Sequence, residues 1–221
     1  MPFKLAISHP WDVSIAEAKR IQVELARQVS LEDSFDIPEF VAGVDVGFED
    51  KGKVTRAAIA VLKYPELQLV DKSVIRSKTF FPYVPGYLSF RELPAVIAAL
   101  ERLKTLPDMF LCDGQGIAHP RRLGIACHLG VLTDIPSIGV AKSRLLGTYR
   151  EPGDLKGDSS ALFDGNEQIG VVLRTRAHVK PLFISPGHRI SINSAQEWVM
   201  NCTTKYRLPE TTRHAHHLAS G

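Results

Sequence analysis

Cysteine is scarce, with 3 in 221 residues. Cys112, Cys127 and Cys202 are odd in number, widely spaced and form no C-x-x-C pair. That excludes a disulfide framework and a zinc ribbon, and leaves three reduced, mostly buried thiols as the expectation. Long apolar runs are missing too. None reaches the roughly 18 residues that span a bilayer, and the opening MPFKLAISHPWD has no apolar core of secretory length. A cytoplasmic, monomeric protein with no membrane partner is therefore expected. No internal repeat, low-complexity tract or linker divides the chain, so residues 1–221 are read as a single domain, long enough for a substantial core. Strong charge of either sign is also lacking, at a net +3. Its distribution is more informative. Between His119 and Arg150 five basic residues face one acid, and from Val172 onward seven face two. The acids crowd into the first half. That skew permits a basic binding face with an acidic spot inside it, although an unevenly charged solvated surface explains it equally well.

Against that background the periodicities are clear. Residues 12–30 alternate as an amphipathic helix that Asp12 or Ser14 can cap. Strands follow at Phe40–Phe48, Arg56–Tyr64 and Leu67–Lys78, with short Gly- or Pro-containing linkers suited to an antiparallel meander. A helix is expected over Phe90–Lys104, a strand over Met109–Asp113, a helix over Arg121–Thr133 and a strand over Pro136–Lys142. A loop then runs to Gly165. Strands near Gln168–Arg174 and Pro181–Ser185 and helices near Ala195–Thr203 and Thr212–Ala219 complete the chain. This order predicts an α/β fold with a mixed central sheet flanked by helices, the order of the ribonuclease H-like fold.

Three carboxylates stand out. Asp45 interrupts the apolar strand VAGVDVGF. A buried, unpaired carboxylate costs several kcal/mol, so Asp45 must pair with a cation, collect hydrogen bonds or hold a metal. Asp113 ends a short apolar strand and opens into Gly-Gln-Gly, followed by His119 and the pair Arg121-Arg122, a loop suited to a metal and a phosphate. Glu92 has a plainer reading. Ser89-Phe-Arg-Glu92 fits a capping box at the start of a helix, and Pro94 supports a helix start there. In the expected fold the three acids converge from the first strand, the helix after the meander and the fourth strand. Such oxygen ligands hold magnesium or manganese, whose chemistry is water activation and leaving-oxygen stabilisation in phosphodiester hydrolysis. Lys142, at the end of the neighbouring strand, can reach the same centre, where it would neutralise a phosphate; otherwise it is a surface lysine. His119 lies six residues past Asp113, within loop reach. Spacing alone does not choose a ligand among His214, His216 and His217.

Pro82-Tyr83-Val84-Pro85-Gly86 is too rich in proline and glycine for regular structure. Proline fixes φ, so Tyr83 is presented with little entropy left to lose. It either packs on the core or wedges into a base stack. Gly86 and Gly124-Ile125 could offer backbone groups to an extruded base.

Together these segments resemble the endonuclease V family of deoxyinosine-directed repair nucleases. The matching stretches are Val44–Phe48, Pro82–Gly86 with Leu88–Glu92, Asp113–Ala126, Gly139–Ser143, Ser185–His188 and Pro209–Glu210 with Thr212–Arg213, and they cover nearly the whole chain. The resemblance implies a ribonuclease H-like fold and a Mg²⁺-dependent nick (Mn²⁺ substituting) at the second phosphodiester 3′ of deoxyinosine in DNA, with inosine-containing RNA as the alternative substrate. It implies Asp45, Glu92 and Asp113 as the metal carboxylates, with Lys142 and His119 at the scissile phosphate. His216 is the late histidine of the T-R-x-A-H pattern. Pro82, Tyr83, Val84 and Pro85 form the strand-separating wedge, and Gly86, Leu88, Gly124 and Ile125 line the base pocket.

Overall fold

The computed structural model describes residues 3–221. Its first helix, α1 (Ile15–Ala26), begins at Ser14, whose hydroxyl accepts from the Glu17 amide while the Glu17 carboxylate accepts from the Ser14 amide. That reciprocal pair satisfies two of the orphan donors at a helix start. Three strands follow, β1 (Phe40–Glu49), β2 (Val54–Lys63) and β3 (Gln68–Lys78), paired as the expected antiparallel meander. Helix α2 (Leu88–Leu100) leads into β4 (Met109–Cys112), α3 (Ile125–Thr133) and β5 (Ser137–Ala141). The chain closes with β6 (Ser159–Asp164), β7 (Glu167–Leu173), β8 (Leu182–His188), α4 (Ile192–Asn201) and α5 (Glu210–Ser220).

The strands form one mixed sheet in the order β3-β2-β1-β4-β5-β8-β7-β6. β4 runs parallel to both β1 and β5, and every other pairing is antiparallel. The centre of the sheet therefore reads as continuous apolar runs, as strands covered on both faces must. Ala42, Val44, Phe110 and Cys112 pack beneath α1, α2 and α3. Val41, Met109, Leu111 and Ile138 pack beneath α4 and α5. This is the ribonuclease H-like arrangement. All three cysteines are free and buried, and among the described residues no helix is long and apolar enough to cross a membrane.

Four expectations need correction. β6 falls where a loop was expected. It is an edge strand with one neighbour, and its SSALFD sequence carries little apolar alternation to announce it. The capping box at Ser89 and Glu92 does not form. α2 starts earlier, at Leu88 after Tyr87, and Ser89 lies inside its first turn. The Ser89 hydroxyl is instead paired with Nδ1 of buried His128 on α3, at 2.9 Å. Pro94, expected near the helix start, lies well within α2. Finally, α3 begins at Ile125, four residues later than expected, because Arg122 adopts a left-handed φ of 55° and Gly124 is extended at the N-cap.

Candidate active site

The register of the sheet brings two of the acids together. β4 lies beside β1 with Val44 opposite Cys112, and the Asp113 amide continues the ladder by donating to the Val44 carbonyl at 2.8 Å. Asp45 and Asp113 thus leave adjacent parallel strands at the same level. On β1, Gly43, Asp45 and Gly47 share one face, as residues two apart on a strand must. A Cβ at Gly43 would lie 1.9 Å from the Thr211 carbonyl oxygen, and one at Gly47 2.6 Å from that of Ala219. The two glycines let α5 lie directly on β1, and α5 carries His216. Its Nδ1 meets Asp45 Oδ2 at 2.7 Å. From the next strand, Lys142 forms an ion pair with Asp113 through Nζ and approaches His216 Nδ1 at 3.4 Å. Arg207 donates to the carbonyls of Lys142 and Pro181, which fixes the backbone from which Lys142 extends.

One ligand atom each from Asp45, Asp113 and His216 lie within 4.8 Å of one another. Two neighbouring carboxylates in a largely buried corner repel each other. Burial first, and then the Asp113 charge, push the Asp45 carboxyl above its usual range, against the opposing hydrogen bonds from His216 and the Val46 amide. Glu92 sits outside this triplet yet close enough to feel both charges. Burial, Asp45 and Asp113 push its carboxyl up to about 8. A divalent cation is the natural relief for such a set, and oxygen-rich donors of this kind suit magnesium or manganese. The donor set therefore fits a hard metal ion.

Two cavities open here. The smaller, 350 Å³, is bounded by Asp45, Gly47, Asp113, Lys142 and His216. The larger, 430 Å³, holds the remaining expected residues. Tyr83, Pro85, Gly86, Leu88, Glu92, His119, Gly124 and Ile125 all line it. Asp113 and Lys142 belong to both, so they form the wall between them. Tyr83 stands at the mouth of the larger cavity with 69% of its surface exposed. Of the proline-flanked segment, Pro82 is exposed and Val84 packs partly against the core. Gly114 and Gln115 also line the larger cavity, and the loop that carries them rests on β8. The Gly116 amide donates to Ser185 Oγ and the Ile117 amide to the Pro186 carbonyl, which explains the Ser-Pro-Gly stretch there.

His119 lines the larger cavity but stands apart from the acidic triplet. Nδ1 accepts from the Arg121 amide at 3.2 Å, so Nε2 carries the proton and donates to the Gly86 carbonyl at 3.1 Å. Burial, with help from the Arg121 charge, pushes the imidazole down to about 4 and keeps it neutral. Gln115, Ser143, Arg144 and Leu145, none of them among the expected site residues, line the larger cavity as well. Leu145, 53% exposed at the mouth, carried no periodic signal that could have singled it out.

Residues 23–217 match the sequence model of the endonuclease V family. The endonuclease V of Alkalilimnicola ehrlichii is 57% identical over 213 residues, covering 96% of this chain and 94% of that one. Among solved structures, the endonuclease V of Streptomyces avermitilis superposes with a TM-score of 0.91 at 43% identity, over 97% of this chain and 95% of that one. The Ciona intestinalis endonuclease V, in complex with a 23mer DNA containing an inosine followed by a ribo-adenosine, superposes with a TM-score of 0.82 at 32% identity, over 93% and 95%.

Proposed function

This chain belongs to the endonuclease V family of DNA-repair nucleases, and on that premise we propose that it recognises deoxyinosine, the product of adenine deamination, and hydrolyses the second phosphodiester bond on its 3′ side. The observation that carries the reading is the pair of cavities sharing the Asp113–Lys142 wall. A base taken into the larger cavity leaves its own phosphates outside the acidic corner, so the bond cut lies beyond the base recognised. The Ciona relative, held on inosine-containing DNA, supports the choice of base.

Asp45, Asp113 and Glu92 would hold Mg²⁺ or Mn²⁺, with His216 against Asp45. Such an ion supplies a water of lowered pKa and stabilises the leaving 3′ oxygen, so the products carry a 3′-hydroxyl and a 5′-phosphate. The chain's own groups do the rest. Lys142 places a cation beside the two acids, where a scissile phosphate needs one. His216 holds one orientation of the Asp45 carboxylate. Tyr83, stiffened by Pro82 and Pro85, enters the stack vacated by the extruded base. Extrusion costs a few kcal/mol, and less at a mismatch, which biases the enzyme toward lesions. Leu88 and Ile125 offer apolar contact to the base, and Gly124 opens the positive N-terminal end of α3 toward it. Neutral His119 supports the cavity rim from below.

RNA is the second reading, because the strand bound by the Ciona relative carries a ribonucleotide immediately after the inosine. A 2′-hydroxyl contact would distinguish the two. The test is incubation with matched DNA and RNA strands bearing one inosine, with and without Mg²⁺. Metal-dependent cutting confined to inosine strands is expected, with DNA preferred. Equal cutting of inosine-free strands, or none of either, refutes the proposal.

A further inference from the structure

The Gly86 carbonyl accepts from three side chains at once: Gln22 Nε2 at 2.9 Å, His119 Nε2 at 3.1 Å and Arg121 Nη2 at 2.5 Å. A carbonyl oxygen has two lone pairs, so this one is saturated and has no capacity left for a substrate. The expectation that Gly86 supplies an acceptor to the base is thereby corrected: Gly86 lines the cavity, but its carbonyl faces the protein. Its φ of +81° is a left-handed conformation natural to glycine.

The donor from α1 is the unexpected one. Gln22 is 0% exposed, set among Ala18, Ile21 and Leu25 on the apolar face of the helix. A buried amide is costly unless both halves are bonded. Here both are, since Oε1 accepts from Arg121 Nε at 2.5 Å while Nε2 holds Gly86. The Arg121 guanidinium in turn lies over the Tyr87 ring, 4.2 Å from its centroid. Gln22, Arg121 and His119 therefore close a network around the foot of the loop that carries Tyr83. α1 lines neither cavity, and this network is its only side-chain link to their walls among the described hydrogen bonds.

We propose that Gln22 is a positioning residue for substrate recognition: through the Gly86 carbonyl it sets where the Tyr83 loop stands relative to the base cavity. The proposal rests on the inosine-directed reading above. It assigns to a helix remote from the acids a direct effect on binding and none on the chemical step.

Two substitutions separate the contributions. Gln22→Met keeps the length and removes both hydrogen bonds. Gln22→Glu keeps the acceptor for Arg121 but has no proton for Gly86. Steady-state cleavage of an inosine-containing single strand should show KM raised about tenfold in both, from the loss of the Gly86 hydrogen bond that the two variants share, with kcat within about twofold of the parent. Combined with Tyr83→Ala, Gln22→Met should add little to KM beyond the larger single effect, because both act through one loop. An unchanged KM in Gln22→Met, a fall in kcat at constant KM, or additive effects with Tyr83→Ala would each overturn the proposal. A variant that loses activity through poor folding lowers the active fraction, and so kcat, while leaving KM alone, so it counts against the proposal too. If the parent protein itself does not distinguish inosine strands, it is the proposed function that fails, and that result appears before any variant is made.

Discussion

Glu92 is the residue on which the electrostatics of the site turn. Its carboxyl, raised to about 8 by burial and by Asp45 and Asp113, is mostly protonated at neutral pH before a cation arrives. A ligand must shed that proton, so cation affinity should rise with pH up to about 8 and level off above it. The slope below 8 should approach tenfold per pH unit for the release of one proton. Titration calorimetry with Mn²⁺ at pH 6.5 and 8.5 reads this directly, and Glu92→Gln should flatten the dependence. Affinity that is flat across that range in the parent would contradict the assignment. Asp45 makes a second prediction. Asp45→Asn removes a charge from the paired acids while keeping the size, and should reduce cleavage at least about 10³-fold while strand binding persists.

At the scale of elements, the contact of α5 with β1 decides whether the site exists. Gly43→Ala would drive a methyl group into the Thr211 carbonyl, 1.9 Å from the added atom. Overpacking of this kind typically costs about 1–3 kcal/mol. Thermal unfolding should fall by several degrees, and cleavage should fall further than the unfolded fraction explains, because His216 moves with α5. A tolerated Gly43→Ala would mean that the helix is not seated as described. Much of this was legible in the sequence and some was not. Asp45 was exposed by contrast with its apolar strand, and Asp113 by its place at a strand end. Their adjacency depends on β1 pairing with β4 rather than with a later strand, and a sheet order is a long-range fact that no local window contains. Glu92 was masked by a capping pattern that its own neighbour abandoned, since Ser89 is bonded to His128 instead. His216 could be chosen over His214 and His217 by family resemblance but not by spacing, because only the seating of α5 on Gly43 and Gly47 turns that one toward Asp45. Gln22 was invisible. At an apolar helix position a single glutamine looks like a tolerated exception until its partner, some hundred residues away, is seen.

For the whole molecule, buried neutral histidines tie stability to pH. His128 is fully buried with its ring nitrogens bonded to Ser89 and to His9 of the N-terminal segment, and burial holds its pKa well below the ordinary 6.5. His119 is held down near 4. In the unfolded chain both titrate near 6.5, so below that pH the unfolded state binds protons that the folded state refuses. Their contribution to stability should be complete above about pH 7 and should fall as pH drops from 6.5 toward 4, while Glu92, with its carboxyl raised to about 8, acts in the opposite sense and removes stability as pH rises toward 8. Thermal midpoints across that range test this, and His128→Gln should lessen the slope. A pH dependence between 7 and 5 that is the same in parent and His128→Gln would argue against neutral burial.

On the proposed function, a base reader and a cutting centre are adjoining cavities that meet at Asp113 and Lys142, with Glu92 reaching the metal from the reader's side. Mapping the cut on a single strand with one inosine at a known position, at single-nucleotide resolution and with end-group analysis, tests it most directly. One Mg²⁺-dependent product is expected, ending at the second phosphodiester 3′ of the inosine and carrying a 3′-hydroxyl. Cutting at the inosine's own phosphates, or at positions that do not move when the inosine is moved, would contradict it.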